Sequence, residues 1–166
     1  VVGATAFGLI INTAGGYVLS RESRLRPYLT LFVTFTMLFN GGLIPTYMVI
    51  KSLGWVGTRW ALIIPGCTNS FFIIMMMNAF RNVPPSTVES AGIDGAGHVR
   101  IMFQIMLPQT LSMLTVVVIN TVFLQWNSWF PASIYVPAKR DLWPLQLWIK
   151  QLVAENVNIF QSANPN

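Results

Sequence analysis

Four stretches, residues 1–20, 28–50, 60–80 and 109–130, contain no Asp, Glu, Lys or Arg. Each has the length of about 20 mostly apolar residues that a helix needs to cross a bilayer core. Only 9% of the chain is charged and 54% is apolar, with a mean hydropathy of +0.58. A soluble domain carries roughly 25% charged residues, so lipid is the expected solvent for much of the surface. Each stretch also holds small or polar residues: Asn12, Gly15 and Gly16; Asn40, Gly41, Gly42 and Pro45; Pro65, Gly66 and Asn69; Asn120. Such residues let helices approach closely or break, and the freed backbone groups must find partners inside a bundle. A single anchor would be more uniformly apolar. The expected fold class is all-α, a polytopic membrane helical bundle forming one transmembrane domain over residues 1–166.

The ten cations and five carboxylates give a net charge of +5. The cations are spread over short polar intervals and form no basic face or run, which excludes nucleic acid and fits a lipid bilayer. The connections alternate sides. Residues 21–27 and 81–108 share one side with Arg21, Arg24, Arg26, Arg81 and Arg100, and residues 51–59 and 131–166 share the other with Lys51, Arg59, Lys139, Arg140 and Lys150. Five cations a side leave the positive-inside rule silent. The tight cluster Arg21, Arg24 and Arg26 leans toward the first side as cytoplasmic.

Trp55, Trp60, Trp126, Trp129, Trp143 and Trp148 all fall on or near the second side, as an interfacial belt plus a ligand vestibule would place them. There Pro144 can open a short amphipathic helix over residues 144–155. Leu145, Trp148, Ile149, Leu152 and Val153 share one face of it, which either lies on the membrane surface or packs on neighbouring spans. The chain opens at Val1 within an apolar run and ends on Asn164-Pro165-Asn166, so a piece of a longer protein is expected.

Residues 81–108 are the most informative connection. Pro84 and Pro85 stop the third span, and Ser86 with Glu89 has capping-box spacing, predicting a helix from about Thr87. Asp94-Gly95 breaks that helix, and Gly95, Ala96 and Gly97 leave little side-chain bulk. A second helix is predicted from about His98 to Leu107, with Val99, Met102, Phe103 and Met106 on one face and Pro108 ending it. An amphipathic helix–turn–helix at a membrane surface is either a docking element for a soluble partner or an ordinary connection in which Glu89 serves only as a cap.

Glu89-Ser90-Ala91, then Asp94-Gly95-Ala96, then Ile105, Leu107 and Pro108, resembles the EAA loop of binding-protein-dependent ABC importer permeases. Ser90 stands where alanine is usual, and Ser112 where a further proline often follows. The resemblance extends through Gly15-Gly16-Tyr17 with Ser20-Arg21, Leu43-Ile44-Pro45-Thr46-Tyr47, Leu53-Gly54, and Trp126-Asn127 before Phe130-Pro131. It covers essentially the whole chain and is similar to the carbohydrate-uptake, oligosaccharide branch, the second permease of maltose-type importers. The fold it implies is that of the type I ABC importer permeases, in the bacterial cytoplasmic membrane. Residues 81–108 would be cytoplasmic, with a coupling helix seated in the ATPase, Glu89 contacting it and Gly95 allowing the turn. The implied partners are cytoplasmic ABC ATPase subunits, a second permease subunit and an extracellular solute-binding protein. One or more N-terminal spans and a final span would lie outside this piece.

No G-x-x-x-x-G-K-[S/T] phosphate loop occurs, so ATP and magnesium are expected on a separate ATPase chain and no cofactor on this one. No catalytic or metal-binding constellation is expected. His98 has no Cys or second His nearby, Cys67 reads as a small packing residue, and Glu89 and Asp94 are absorbed by the loop. Sugars are held by aromatic faces and hydrogen-bonding side chains. Asn40, Thr46, Tyr47, Asn69, Asn120, Gln125, Trp126 and Asn127 could line such a path, or could bond helix to helix within the bundle. A permease of the same type for a non-sugar solute, and a membrane scaffold or channel whose loop docks another cytoplasmic protein, remain the alternatives.

Overall fold

The computed structural model describes residues 1–163, with side-chain surroundings given to residue 157. Every regular element among them is a helix: α1 (Val2–Ser20), α2 (Arg26–Leu38), α3 (Leu43–Ser52), α4 (Trp60–Cys67), α5 (Ser70–Arg81), α6 (Pro85–Ile93), α7 (His98–Arg100), a π-helix (Ile101–Met106), α8 (Leu107–Gln109), α9 (Leu111–Trp126), α10 (Trp129–Tyr135), a 3₁₀ turn (Arg140–Leu142) and α11 (Leu145–Ala163). Among the described residues α1 alone is long and apolar enough to span a membrane by itself, and three bent helix pairs bring the number of spans to as many as four.

α1 is the axis of the bundle. It packs along α5 and against α4 and α9. The approach to α5 is close because Gly16 has no side chain: a Cβ there would lie 2.5 Å from Met76 Cβ and 2.9 Å from the Met77 nitrogen. Tyr17, Phe72, Met76, Phe80 and Val117 form the core beside this contact.

The expected second span, residues 28–50, is not one helix. α2 and α3 meet at 112°. Asn40, Gly41 and Gly42 explain the break, since glycine costs about 1 kcal/mol in a helix interior and the Asn40 side chain accepts from the Gly42 amide at 3.0 Å. The third span is also broken, α4 to α5 bending by 44°. Pro65 lies inside α4 and removes one backbone donor. Asn69 then starts α5 afresh, its side chain accepting from the Phe71 amide at 2.9 Å.

The helix expected over 109–130 is α9, ending at Trp126 and followed by the separate helix α10. α11 runs past the predicted end at 155. Its predicted face, Leu145, Trp148, Ile149, Leu152 and Val153, is exposed, and the buried residue among those described is Leu147, packed with Ala132 and Val136. The helix is tied down instead through Trp129, whose ring lies 3.3 Å from the Lys150 ammonium.

Candidate functional site

The segment between the third and fourth spans folds as a helix–turn–helix closed by its own backbone. Pro85 takes the first position of α6, where its fixed φ is preorganised. Ser86 therefore lies inside the helix rather than capping it, and its carbonyl accepts from the Ser90 hydroxyl at 2.8 Å. The expected capping box does not form, because starting the helix at Pro85 puts Thr87 rather than Glu89 at the third position. Glu89 is exposed.

α6 ends in a Schellman motif. The Gly95 amide donates to Gly92 O at 3.1 Å and the Ala96 amide to Ala91 O at 3.0 Å. Gly95 holds φ +76°, the left-handed conformation that such a terminus requires. Ala91 is buried and Ala96 packs against the same apolar cluster, so both alanines of the motif face inward. Ser90 and Asp94 are exposed, and Ile93 is 87% exposed at the tip.

The return helix runs from His98 to Gln109 and contains the π-helix. Its inward face keeps Met102 and Met106 of the predicted one but gains Ile101 and loses Val99 and Phe103. Ile101 and Met106 are buried, while Val99 and Phe103 are exposed. The i→i+5 register of a π-helix places residues five apart on one face, a period that helical spacing does not anticipate. Ile105 and Leu107 are half-buried against the same core. Pro108 is exposed and does not end the helix. It follows the π-helix near the end of the return helix, and the chain bends by 88° into α9 after Gln109. The Tyr17 hydroxyl lies 3.4 Å from His98 Nδ1 and ties the element to α1. A cavity of about 620 Å³ between loop and bundle is lined by Arg21, Arg26, Arg81, Glu22, Glu89 and His98.

A second polar locus sits at the break in the third span. Its freed carbonyls are met by side chains from the first and fourth spans. The Gln125 amide donates to Gly66 O at 2.7 Å. The Asn12 amide donates to Cys67 O at 3.4 Å, and Asn12 Oδ1 accepts from the Asn69 amide at 3.2 Å. Asn12 is fully buried. It was not among the expected site residues, and its one sequence signal is an amide side chain in an otherwise apolar span.

Thr46, Asn69 and Gln125 line one cavity of about 420 Å³ at this break, together with Tyr135. Tyr47 stacks on Tyr135, centroids 6.4 Å apart. The other expected pathway residues are not gathered here. Asn40 is spent on the α2–α3 turn. Asn120 and Asn127 donate to their own helix, to Val116 O at 2.8 Å and Phe123 O at 2.9 Å. Trp126 lines a neighbouring cavity with Gln125.

A membrane helical bundle with a rigid, outward-presented helix–turn–helix and a clamped helix break is the architecture of a transport subunit. The chain belongs to the family of binding-protein-dependent transport system inner membrane components, whose pattern it matches over residues 4–141. These are transporter components rather than enzymes. It is 39% identical over 150 residues to the polygalacturonan/rhamnogalacturonan transport system permease protein YtcP of Bacillus subtilis, covering 90% of this chain and 52% of that one. It is 37% identical over 172 residues to Protein LplC of the same organism, covering 99% and 58%. A chain in the crystal structure of a bacterial ABC transporter involved in the import of the acidic polysaccharide alginate superimposes with a TM-score of 0.86 at 28% identity, covering 98% of this chain and 61% of that one. The chain thus spans little more than half the length of the curated relatives it matches.

Proposed function

We propose that the chain is part of a permease subunit of an ATP-driven ABC importer for a carbohydrate, an oligosaccharide. Residues 81–108 face the cytoplasm and dock on a separate ATPase chain, which binds ATP and magnesium. A second permease subunit completes the bundle, and an extracellular solute-binding protein delivers the solute. The observation that carries this is the sidedness of the helix–turn–helix. Ala91 and Ala96 are committed inward, while Glu89, Ser90, Ile93 and Asp94 are left outward on a backbone-closed scaffold. Ile93 stands 87% exposed at the scaffold's tip, free to enter a partner's surface. Ile105, Leu107 and Pro108 carry the element into the fourth span, so motion at the ATPase is delivered to the spans. The related polygalacturonan/rhamnogalacturonan and alginate systems support a carbohydrate. On this reading the solute passes the third-span break beside Thr46, Tyr47, Asn69 and Gln125.

The test is uptake of labelled oligosaccharide by cells that carry the full-length subunit and its partners. Glu89→Ala lowers uptake at least several-fold while the subunit stays in the membrane and the ATPase still hydrolyses ATP. Undiminished uptake by that variant refutes the coupling role.

A further inference from the structure

The cations on the far side of the membrane call for a cause. With residues 81–108 cytoplasmic, Lys51, Arg59, Lys139, Arg140 and Lys150 lie on the extracytoplasmic side, against Asp141 and Glu155. Short loops there are normally depleted of Lys and Arg. Here this side, loops and helix ends together, holds five of the chain's ten cations.

One of the five, Arg59, lines a cavity, and a second, Arg140, lies against the ring of Trp143 in its wall. The cavity measures about 440 Å³, within the range of small-ligand sites, and Arg59, Gln125, Trp126, Asp141, Trp143 and Gln146 line it. Arg140 lies 5.6 Å over the Trp143 ring. The Lys139 ammonium folds back onto the turn at Gly57, 3.9 Å from where a Cβ of that residue would stand. Lys150, by contrast, is occupied by the Trp129 ring.

The aromatic partners are divided in the same way. The Trp143 indole N–H donates to Val136 O at 2.8 Å, and one of its faces carries Arg140. Trp126 is 47% exposed and has a face to offer.

We propose that this cavity is an entry subsite for a uronic-acid residue of an acidic oligosaccharide. Trp126 stacks on the pyranose face, Gln146 and the Asp141 carboxylate take ring hydroxyls, and Arg59 takes the uronate carboxylate. A guanidinium presents two parallel N–H donors that match a carboxylate, whereas a neutral sugar needs no guanidinium. Arg140, over Trp143 in the cavity wall, adds a second positive charge that favours an anionic solute. Gln125 connects this cavity to the third-span break, since it lines both cavities. The inference rests on the carbohydrate-importer reading above.

The experiment uses the full-length subunit with its partner chains, reconstituted in vesicles. The probes are trigalacturonate and its methyl ester, the same trisaccharide without charge. The unaltered transporter takes up the acid faster than the ester. Arg59→Gln lowers the acid-to-ester ratio about tenfold or more, as loss of a charge-assisted bond should, and Arg59→Lys lowers it less. Trp126→Ala slows both probes and leaves the ratio in place. Reading a ratio removes differences in amount and folding. An unchanged ratio in Arg59→Gln, or ester uptake equal to acid uptake in the unaltered transporter, overturns this subsite and leaves the carbohydrate reading standing. Uptake of neither probe, nor of any neutral oligosaccharide, overturns both.

Discussion

Gly95 offers a test in which backbone and contact make opposite predictions. Its φ is +76°, and a Cβ added there meets nothing within 4 Å. The chain itself therefore has room for a larger side chain, and the penalty is conformational. An L-residue in the left-handed region costs about 1–2 kcal/mol, less for asparagine, which visits it readily, and more for a β-branched residue. That is about a five- to thirty-fold fall in the closed turn relative to open forms. The closed turn is what holds Ala96 against the cluster that contains Ala91. The series Gly95→Asn, Gly95→Ala and Gly95→Val, measured as solute uptake per subunit in the membrane with ATPase activity in parallel, should decline in that order. If Gly95 matters instead because the ATPase approaches its bare backbone, size decides, and alanine becomes the mildest change. Alanine equal to or better than asparagine refutes the backbone account.

Gln125→Leu leaves Gly66 O without its 2.7 Å partner inside the bundle. Membrane hydrogen bonds of this kind are worth about 0.6–1.7 kcal/mol, so the purified, detergent-solubilised subunit should unfold a few degrees lower in a thermal melt. Gly16→Leu drives a side chain into Met76, where even a Cβ would be 2.5 Å away; α1 and α5 must separate, and the variant should be lost from the membrane fraction. Ser86→Ala should shift the melt by no more than about 0.5 kcal/mol, since the residue lies within the first turn of α6, whereas removal of a true N-cap costs about 1 kcal/mol.

Hydrophobic length made the bundle legible, and residue chemistry made the turn at Asp94-Gly95-Ala96 legible, because one glycine at a helix end has few uses. The breaks were legible only as ingredients. Asn40, Gly41, Gly42 and Pro65 stood out in the sequence, yet a hydropathy window of spanning length reads across them. The bend of 112° between α2 and α3 is set by tertiary packing and does not appear in composition. The inward face of the return helix was misread for a specific reason. Helical spacing groups Val99 with Met102, Phe103 and Met106; the π-helix keeps Met102 and Met106 on the core, brings in Ile101 and turns Val99 and Phe103 outward. The capping box failed because two signals competed for one helix start, and Pro85 prevailed over Ser86. Among the expected pathway residues, Thr46, Asn69 and Gln125 share the cavity at the third-span break, and Trp126 joins Gln125 in the neighbouring one. The amides at Asn120 and Asn127 found acceptors one turn back on their own helix, a choice no spacing rule excludes.

The two polar loci belong to one mechanical unit. Tyr17 joins His98 at the C-terminal end of α1, and five residues earlier Asn12 holds the broken third span. Phe80 and Met76 join the loop's core at one end of α5, and Asn69 caps the other end of the same helix. Ile101 and Met106 share that core with Val117 of α9, and two turns further on Gln125 reaches Gly66 O. A displacement of the loop cannot be absorbed by sliding at Gly16, where the backbones already touch through Met76. It is carried by α1, α5 and α9 together to the level of the break. There the strain meets carbonyls held by just two side chains, Asn12 and Gln125. Close packing stiffens the α1–α5 contact at Gly16, whereas exchangeable hydrogen bonds make the break the compliant point. Alternating access on this scaffold would therefore bend the third span at Gly66 to Asn69, with Asn12 and Gln125 setting how readily it bends.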